Sequence, residues 1–461
     1  MIDLLLERSF IGMEIFDIGI IGSGPAGYVS AIWASINGLS VILFEKDNFG
    51  GTCLNSGCIP TKATIFCSDL FKKLSKADKY GIFAENIRYD YSKIKKRRDD
   101  IVIKKNKSLE QLLKSHKVEL VTAEAKLNDD NKIEVDGTIY ECRNIILATG
   151  SKAYLPEFFK NENSNIHTSE TLLNLEEIPE NIVIIGSGAI GCEWARIFAA
   201  LKKNVTLAEL APQILPLADI DVSERFERIL KKDRIKILKG KSVTKIENNT
   251  CFFESGEEIK TDLILVATGR KPNTDAINSK IKLNEKGFIA TDNNFKTNID
   301  NIFAIGDVNG ISQLAHSASK QGMLLIEHIK NGTQIDFSKC VIPSIIYASP
   351  EIAWAGKCEQ ELEQNSFKTA ILPISTVAKS TTDDEIDGFI KVIEQNGKLK
   401  GVHIISKEAS SLLPVFQYAI EKEIPYNNLL DLTYAHPTFA ESIAESLLNL
   451  ENKAIHLIKM S

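Results

Sequence analysis

One pattern occurs twice in this chain, and it constrains the fold more than any other feature. Phe16-Asp17-Ile18-Gly19-Ile20-Ile21 is a short apolar run leading into Gly22-Ser23-Gly24-Pro25-Ala26-Gly27. A helical stretch from Tyr28 to Asn37 follows, then Val41-Ile42-Leu43-Phe44 ending in Glu45. Far downstream, Ile182-Val183-Ile184-Ile185 enters Gly186-Ser187-Gly188-Ala189-Ile190-Gly191, a helix follows from Cys192, and Val205-Thr206-Leu207-Ala208 ends in Glu209. In both copies the acid stands 23 residues after the first glycine. A strand, a GxGxxG turn, a helix and a second strand tipped by a carboxylate make the dinucleotide fingerprint in its proper context. The first glycine permits the tight turn, the second lets backbone approach a pyrophosphate, and the third brings the helix close to the strand. The helix N-terminus offers free N–H groups and a dipole that favours an anion. Two copies imply two dinucleotides. Each terminal glutamate can accept hydrogen bonds from ribose hydroxyls. At Glu209 a carboxylate suits the free 2′-hydroxyl of NAD and repels the 2′-phosphate of NADP.

A second feature lies just after the first copy. In Phe49-Gly50-Gly51-Thr52-Cys53-Leu54-Asn55-Ser56-Gly57-Cys58-Ile59-Pro60-Thr61-Lys62, two cysteines with four residues between them sit in a run of glycines and small polar residues. Such a pair can close a ring as a disulfide and reopen as two thiols. Eight cysteines in 461 residues are too sparse for a secreted disulfide scaffold. Cys67, Cys142, Cys192, Cys251, Cys340 and Cys358 read as small buried hydrophobes.

The remaining signals fill in the architecture. Residues 62–80 and 92–116 read as helices, and 118–136 as hairpin strands. The basic run from Lys93 to Lys107 reads as a solvated helix face. Ile145-Ile146-Leu147-Ala148-Thr149-Gly150 is a buried-type strand ending in a glycine turn, and Leu263 to Arg270 echoes it. Asn301-Ile302-Phe303-Ala304-Ile305-Gly306-Asp307 projects Asp307 from a strand end, where ligands of open α/β sheets lie. From about residue 340 the pattern changes to short alternating strands and then helices, the mark of a separate α+β domain. Near its end, in Tyr434-Ala435-His436-Pro437-Thr438-Phe439-Ala440-Glu441, a histidine in a Pro-bounded turn has an acid close by. Thiol chemistry needs a proton acceptor, so His436 is the candidate base and Glu441 its partner.

The expected fold is α/β: two Rossmann-like domains, the second inserted in the first, plus a C-terminal α+β domain. The expected divisions are residues 1–150 for the first segment with the cysteine pair, 151–270 for the second dinucleotide domain, 271–339 for the return of the first, and 340–461 for the last. A formal charge of −6 gives no reason to expect nucleic acid or anionic membrane as partner. No run reaches the roughly 18 apolar residues of a membrane span. The N-terminus lacks a basic n-region and a clear cleavage site, so a cytoplasmic location is expected. Met13 offers a second start just before the first strand. No metal site is expected.

Taken together, the cysteine stretch Gly51–Lys62, both glycine motifs, Ala267-Thr268-Gly269-Arg270, Gly306-Asp307, Leu314-Ala315-His316, Pro350-Glu351-Ile352-Ala353 and His436-Pro437-Thr438 carry a resemblance. The chain resembles the FAD-dependent pyridine nucleotide–disulfide oxidoreductases over nearly its whole length beyond about Met13. Within class I of that family it looks most like the members that oxidise protein-bound dihydrolipoyl groups to lipoyl groups. The resemblance implies that the first fingerprint holds FAD and the second NAD. It adds Lys46, Gly51, Thr52, Lys62, Thr149, Gly150, Ile190, Gly269, Arg270, Asp307, Leu314, Ala315 and His316 to the glycines and glutamates as cofactor-binding residues. It makes Cys53 the thiol that meets substrate and Cys58 the thiol beside the flavin. Lys62 becomes the lysine near the flavin, Glu193 the acid that pairs with it, Asp307 the ligand of the ribityl chain, His436 the base and Glu441 its orienting acid. It also implies a homodimer formed by the last domain, with the base supplied across the interface. The expected partners are lipoyl-bearing carriers of 2-oxoacid dehydrogenase or glycine cleavage complexes.

Three positions depart from the family pattern. Tyr434 stands where its dehydrogenases commonly have a second histidine. Ser56 replaces an often aliphatic residue, and Ile404-Ile405-Ser406-Lys407-Glu408 lacks an expected glycine. The rival readings are a glutathione-reductase-like or mercuric-reductase-like enzyme and a flavoprotein subunit without turnover. Glu209 opposes the NADP users, the absence of a C-terminal cysteine pair opposes the mercuric enzymes, and the intact cysteine loop opposes the subunit.

Overall fold

The run Phe16–Ile21 is too continuously apolar for a strand with one wet face, and it lies at the centre of a sheet covered on both sides. The computed structural model describes residues 15–159 and 165–458. The sheet is five-stranded and wholly parallel, in the order Ile302–Ala304, Cys142–Leu147, Phe16–Ile21, Val41–Glu45, Glu119–Thr122. Ile18, Ile20, Leu43 and Ile146 face one side, where the helices Pro25–Ile36 and Ala315–Asn331 supply Ala26, Ala31, Leu325 and Ile326. Ile42, Phe44, Ile145 and Leu147 face the other, where a three-stranded antiparallel meander supplies Leu127, Ile133 and Val135.

The second copy builds the same object. Its parallel sheet runs Lys236–Lys239, Asn204–Glu209, Asn181–Ile185, Leu263–Val266, Ile166–His167. All its strands fall in sequence between Cys142–Leu147 and Ile302–Ala304 of the first sheet. The chain leaves and re-enters through an antiparallel ribbon in which Ser151–Ala153 pairs with Arg270–Pro272. The second Rossmann-like domain is therefore inserted in the first.

The C-terminal part is a five-stranded antiparallel sheet, ordered Ser344–Ile346, Glu351–Gly356, Lys398–Ser406, Phe389–Gln395, Lys368–Pro373. The helices Ala409–Glu421 and Glu441–Asn449 share its core through Phe416, Ile443 and Leu447.

The chain groups into two compact units. One comprises the described residues up to Ala63 with Lys96–Tyr154 and Arg270–Phe337. The other comprises Thr64–Lys95, Leu155–Gly269 and the described residues from Ser338. In the second unit Trp194, Phe198 and Phe226 of the inserted domain share a core with Ile352, Phe389 and Ile405 of the C-terminal sheet.

Several local expectations change. The hairpin expected over 118–136 is instead a parallel edge strand, Glu119–Thr122, followed by the meander from Lys126 to Tyr140. Alternation alone does not reveal which strand a segment pairs with. The helices are Cys58–Leu74 and Tyr91–Ser115. On the latter, Arg98 is only 4% exposed, so the basic run is not uniformly solvated. Cys192, Cys251 and Cys358 are buried as expected, whereas Cys67, Cys142 and Cys340 are half-buried. Met13 and the residues before it lie outside the described residues.

Candidate active site

In the first unit the glycine turn is fixed by contacts that no other residue allows. Gly22 has φ +99°, and a Cβ there would meet Ala148 O at 2.4 Å. A Cβ on Gly27 would lie 1.9 Å from Gly22 O. The strand-tip acid reads the turn directly: Glu45 Oε2 accepts from Ser23 N at 3.0 Å and Ser23 Oγ at 2.5 Å. The helix Pro25–Ile36 begins at Gly24 with no side-chain cap, leaving its first N–H groups for a ligand.

The cysteine stretch is fused to that turn. Gly50 N donates to both the carbonyl and the hydroxyl of Ser23, at 3.1 and 3.0 Å. Gly51, at φ +58°, lies so close to Gly24 that an added Cβ would stand 2.7 Å from the Gly24 Cα. Cys53 sits in the short helix Gly51–Asn55, and Cys58 opens the helix Cys58–Leu74 that also carries Lys62. Both cysteines are half-buried thiols joined by a hydrogen bond. That bond, and then burial, push the Cys53 thiol far above the ordinary range, while the charge of Lys62 pulls the other way. Asn55 braces the loop through the carbonyls of Asn48, Phe49 and Gly51. Asn106, from the helix Tyr91–Ser115, donates to Phe49 O and Asn55 Oδ1. Tyr28, on the glycine helix, is near enough to Cys53 for their charges to interact. Sequence reasoning missed Asn106 and Tyr28, because neither carries a local signal.

Asp307 lies in a short turn, Gly306–Asn309, just beyond the strand Ile302–Ala304. Ser151 Oγ donates to its Oδ2 at 2.5 Å, and Arg270 Nε donates to Ser151 Oγ at 2.7 Å. Burial raises the Asp307 pKa, with Ser151 and Arg270 working against that rise. Thr149 Oγ1 donates to Asn273 O at 2.6 Å beside Gly150. Leu314 precedes the helix that starts at Ala315, with His316 in its first turn. Lys46 is exposed just past the strand tip, and Thr52 lies inside the cysteine helix. The open helix start at Gly24, the positive-φ glycines and the acid at each strand end fit a dinucleotide with a polyhydroxylated chain.

In the second unit the turn repeats the geometry. Gly186 has φ +101°, and its added Cβ would meet Ala267 O at 2.5 Å. A Cβ on Gly191 would lie 1.9 Å from Gly186 O. Glu209 Oε2 accepts from Ser187 N and Oγ at 2.8 and 2.7 Å. No atom lies within 4 Å of a Cβ built on Gly188, and the helix Ala189–Ala200 starts uncapped beside Ile190. This open cradle fits a second dinucleotide. Gly269, at φ +136°, is exposed past the strand Leu263–Val266. Glu193 is buried on the same helix, its Oε1 accepting from Tyr347 N at 3.0 Å.

His436 Nδ1 stands 2.8 Å from Glu441 Oε1, and Thr438 N donates to Glu441 Oε2 at 2.8 Å. A carboxylate only accepts, so Nδ1 carries the proton and Nε2 keeps its lone pair. The imidazole is 70% exposed while the carboxylate is mostly covered. Burial would raise the Glu441 pKa, but the bonds from His436 and Thr438 hold it below the usual carboxylate value. Tyr434 donates its hydroxyl to Leu429 O at 2.9 Å and packs on the C-terminal core. One helical turn beyond Glu441, Glu445 Oε1 pairs with His456 Nδ1 at 3.0 Å, a second histidine–glutamate pair that the sequence did not flag.

A dithiol joined to one dinucleotide turn, with a second such turn in the same chain, defines a dinucleotide-dependent dithiol oxidoreductase. Residues 16–322 match the pyridine nucleotide-disulphide oxidoreductase family and residues 342–447 its dimerisation domain, and the chain belongs to this family. It is 34% identical over 460 residues to a dihydrolipoyl dehydrogenase of Chlamydia muridarum, covering 96% of this chain and 98% of that one. It is 31% identical over 457 residues to a dihydrolipoyl dehydrogenase of Bacillus subtilis, covering 95% and 99%. Among solved structures, LpdA from Mycobacterium tuberculosis shares the fold with a TM-score of 0.87 at 23% identity, covering 95% of this chain and all of that one. No helix among the described residues is long and apolar enough to cross a membrane.

Proposed function

We propose that this chain is an NAD-dependent dihydrolipoyl dehydrogenase that uses FAD at the first glycine turn and NAD at the second. The observation that carries the reading is the hydrogen-bonded thiol pair Cys53–Cys58, built onto the first turn beside the charge of Lys62. Near-full-length relatives of that name support the substrate class.

In the oxidised enzyme Cys53 and Cys58 form a disulfide. His436 Nε2 takes a proton from one substrate thiol, and the thiolate attacks Cys53 Sγ, releasing Cys58 as thiolate. The second substrate sulfur then attacks the first substrate sulfur of the mixed disulfide, closing the lipoyl ring, while Cys53 leaves and takes up the second thiol's proton. Glu441 holds His436 in the tautomer this requires. FAD held at the first turn would supply a two-electron acceptor for the pair, and NAD+ held at the second turn would be the final hydride acceptor. Asp307, Thr149, Gly150, Leu314, Ala315 and His316 are assigned to the FAD site, and Ile190, Gly269 and Arg270 to the NAD site. Lys62 and Glu193 are assigned to the flavin's reactive edge.

The working form is a homodimer with His436 serving the partner's cysteines. The dimerisation-domain match and the exposed stripe Phe66, Leu70 and Leu74 on one helix face support this. Lipoyl-bearing carriers of 2-oxoacid dehydrogenase or glycine cleavage complexes are the proposed protein substrates, and the cytoplasm the proposed location. The domain limits 1–150, 151–270, 271–339 and 340–461 are retained as the working division.

The test is an anaerobic titration of the purified yellow protein with dihydrolipoamide, followed by absorbance, with NAD+ added last. A red-shifted thiolate–flavin band and then NADH are expected. Reduction by NADH without any response to dihydrolipoamide would move the function to another disulfide substrate.

A further inference from the structure

Beyond the reacting groups, a buried lysine that the mechanism does not use gathers one buried and two part-exposed carboxylates. Lys391, in the strand Phe389–Gln395, is 0% exposed. Its ammonium donates to Asp219 Oδ1 at 2.8 Å, Asp221 Oδ2 at 2.6 Å and Glu359 Oε2 at 2.5 Å, which uses all three of its protons. Burial works against the charge, but the bonds to Asp219, Asp221 and Glu359 raise the lysine pKa above its ordinary value. His403, its cross-strand neighbour, donates Nε2–H to Lys357 O, and burial lowers its pKa.

The cluster leads to the second glycine turn through bonds between adjoining residues. Asp219 caps the helix Ile220–Lys232 by accepting from Asp221 N, and its Oδ2 accepts from Glu359 N at 3.0 Å. The preceding loop is tied in beside it: Gln360 Nε2 donates to Ala218 O at 3.0 Å, and Ala218 N to Leu215 O at 2.8 Å. Leu215, buried at φ +48°, donates its amide to Ser187 O at 3.1 Å. Ser187 lies between Gly186 and Gly188 and is the residue that Glu209 grips.

We propose that Lys391 is a positioning residue for the second dinucleotide turn: from the C-terminal sheet it fixes Asp219 and the 215–218 loop, and through Leu215 the carbonyl of Ser187. The proposal rests on the reading of that turn as the NAD site. A buried lysine paired with carboxylates gains little stability over apolar packing of the same volume. It does supply direction, because three bonds from one ammonium hold a helix cap, the turn at Glu359 and a strand in a single register.

The experiment uses the full-length holoenzyme and measures the Kd of NADH by equilibrium titration, with amide hydrogen exchange over residues 210–219. Lys391→Met is expected to raise the Kd about tenfold and to speed exchange in that loop, with flavin content and the KM for dihydrolipoamide unchanged within about twofold. Lys391→Arg is expected to restore most of the affinity. Gln360→Ala, on the exposed side of the same link, is expected to raise the Kd about two- to threefold. A folded Lys391→Met protein that binds NADH as the parent does overturns the proposal. Should that variant not fold, unchanged binding and exchange in Gln360→Ala overturn it instead. A parent protein that binds no NADH removes the reading of the turn as well, an outcome distinct from equal binding by parent and variant.

Discussion

The two glycine turns solve one local problem twice and differ in what leans on them. In each, a serine between the first two glycines gives its amide and hydroxyl to the strand-tip glutamate, Ser23 to Glu45 and Ser187 to Glu209. In each, that serine's carbonyl accepts an amide from the segment after the acid, Gly50 in the first and Leu215 in the second, both at 3.1 Å. Gly50 opens the cysteine loop, so the first turn is held by the segment that carries the two thiols. Leu215 belongs to a loop tied to the C-terminal sheet, so the second is held by the frame. The fingerprint prepares a diphosphate cradle, and the segment seated on the serine carbonyl differs between the two copies.

The largest effect should separate the thiols from the turn that carries them. Cys53→Ser is expected to cut dihydrolipoamide oxidation by more than about a thousandfold while the protein stays yellow, checked by turnover and flavin absorbance. Loss of flavin in that variant would mean that the loop's chemistry and the turn's binding are one function. Next, Glu441→Gln is expected to lower kcat about tenfold to hundredfold, because Nδ1 loses the charged acceptor that orients and strengthens the base. The closest test of the comparison pairs two glycine substitutions. Gly51→Ala places a Cβ 2.7 Å from Gly24 at a positive φ, and about 2–4 kcal/mol of destabilisation with flavin loss is expected in a thermal melt. Gly188→Ala meets no atom within 4 Å, so the melt should not move while the KM for NAD+ rises about tenfold as the methyl enters the cradle.

The smallest effect concerns pH. The folded pKa of Glu441 lies below its ordinary value, so its stabilisation is present above the unfolded carboxylate pKa of about 4.3. It is lost as pH falls through the lower folded value. The melting difference between parent and Glu441→Gln, about 1 °C at pH 6, should therefore hold down to about pH 4.3 and shrink only below it.

What could be read from the sequence was what is encoded within a few adjoining residues. Gly22, Gly27 and Glu45 lie within one strand–turn–helix–strand unit, so spacing alone placed them, and the same holds for Gly186, Gly191 and Glu209. His436 and Glu441 are five apart, and the structure joins them at 2.8 Å. What escaped was long in sequence and short in space. Lys391 meets Asp219 from 172 residues away, Ser151 meets Asp307 from 156, and Asn106 braces Asn55 from 51. Such residues look like ordinary polar surface in a one-dimensional pattern. The strand Glu119–Thr122 failed for a related reason, since alternation gives a face and not a neighbour.

The order of the first sheet also has a bearing on biosynthesis. Its edge strand Ile302–Ala304 leaves the ribosome only after every strand of the inserted sheet has been made. Domains generally fold as units while the chain is being made, N-terminal first. Here the earlier domain must wait for the later one, so the first sheet, with the cysteine loop already made, spends that interval without its edge strand beside Cys142–Leu147.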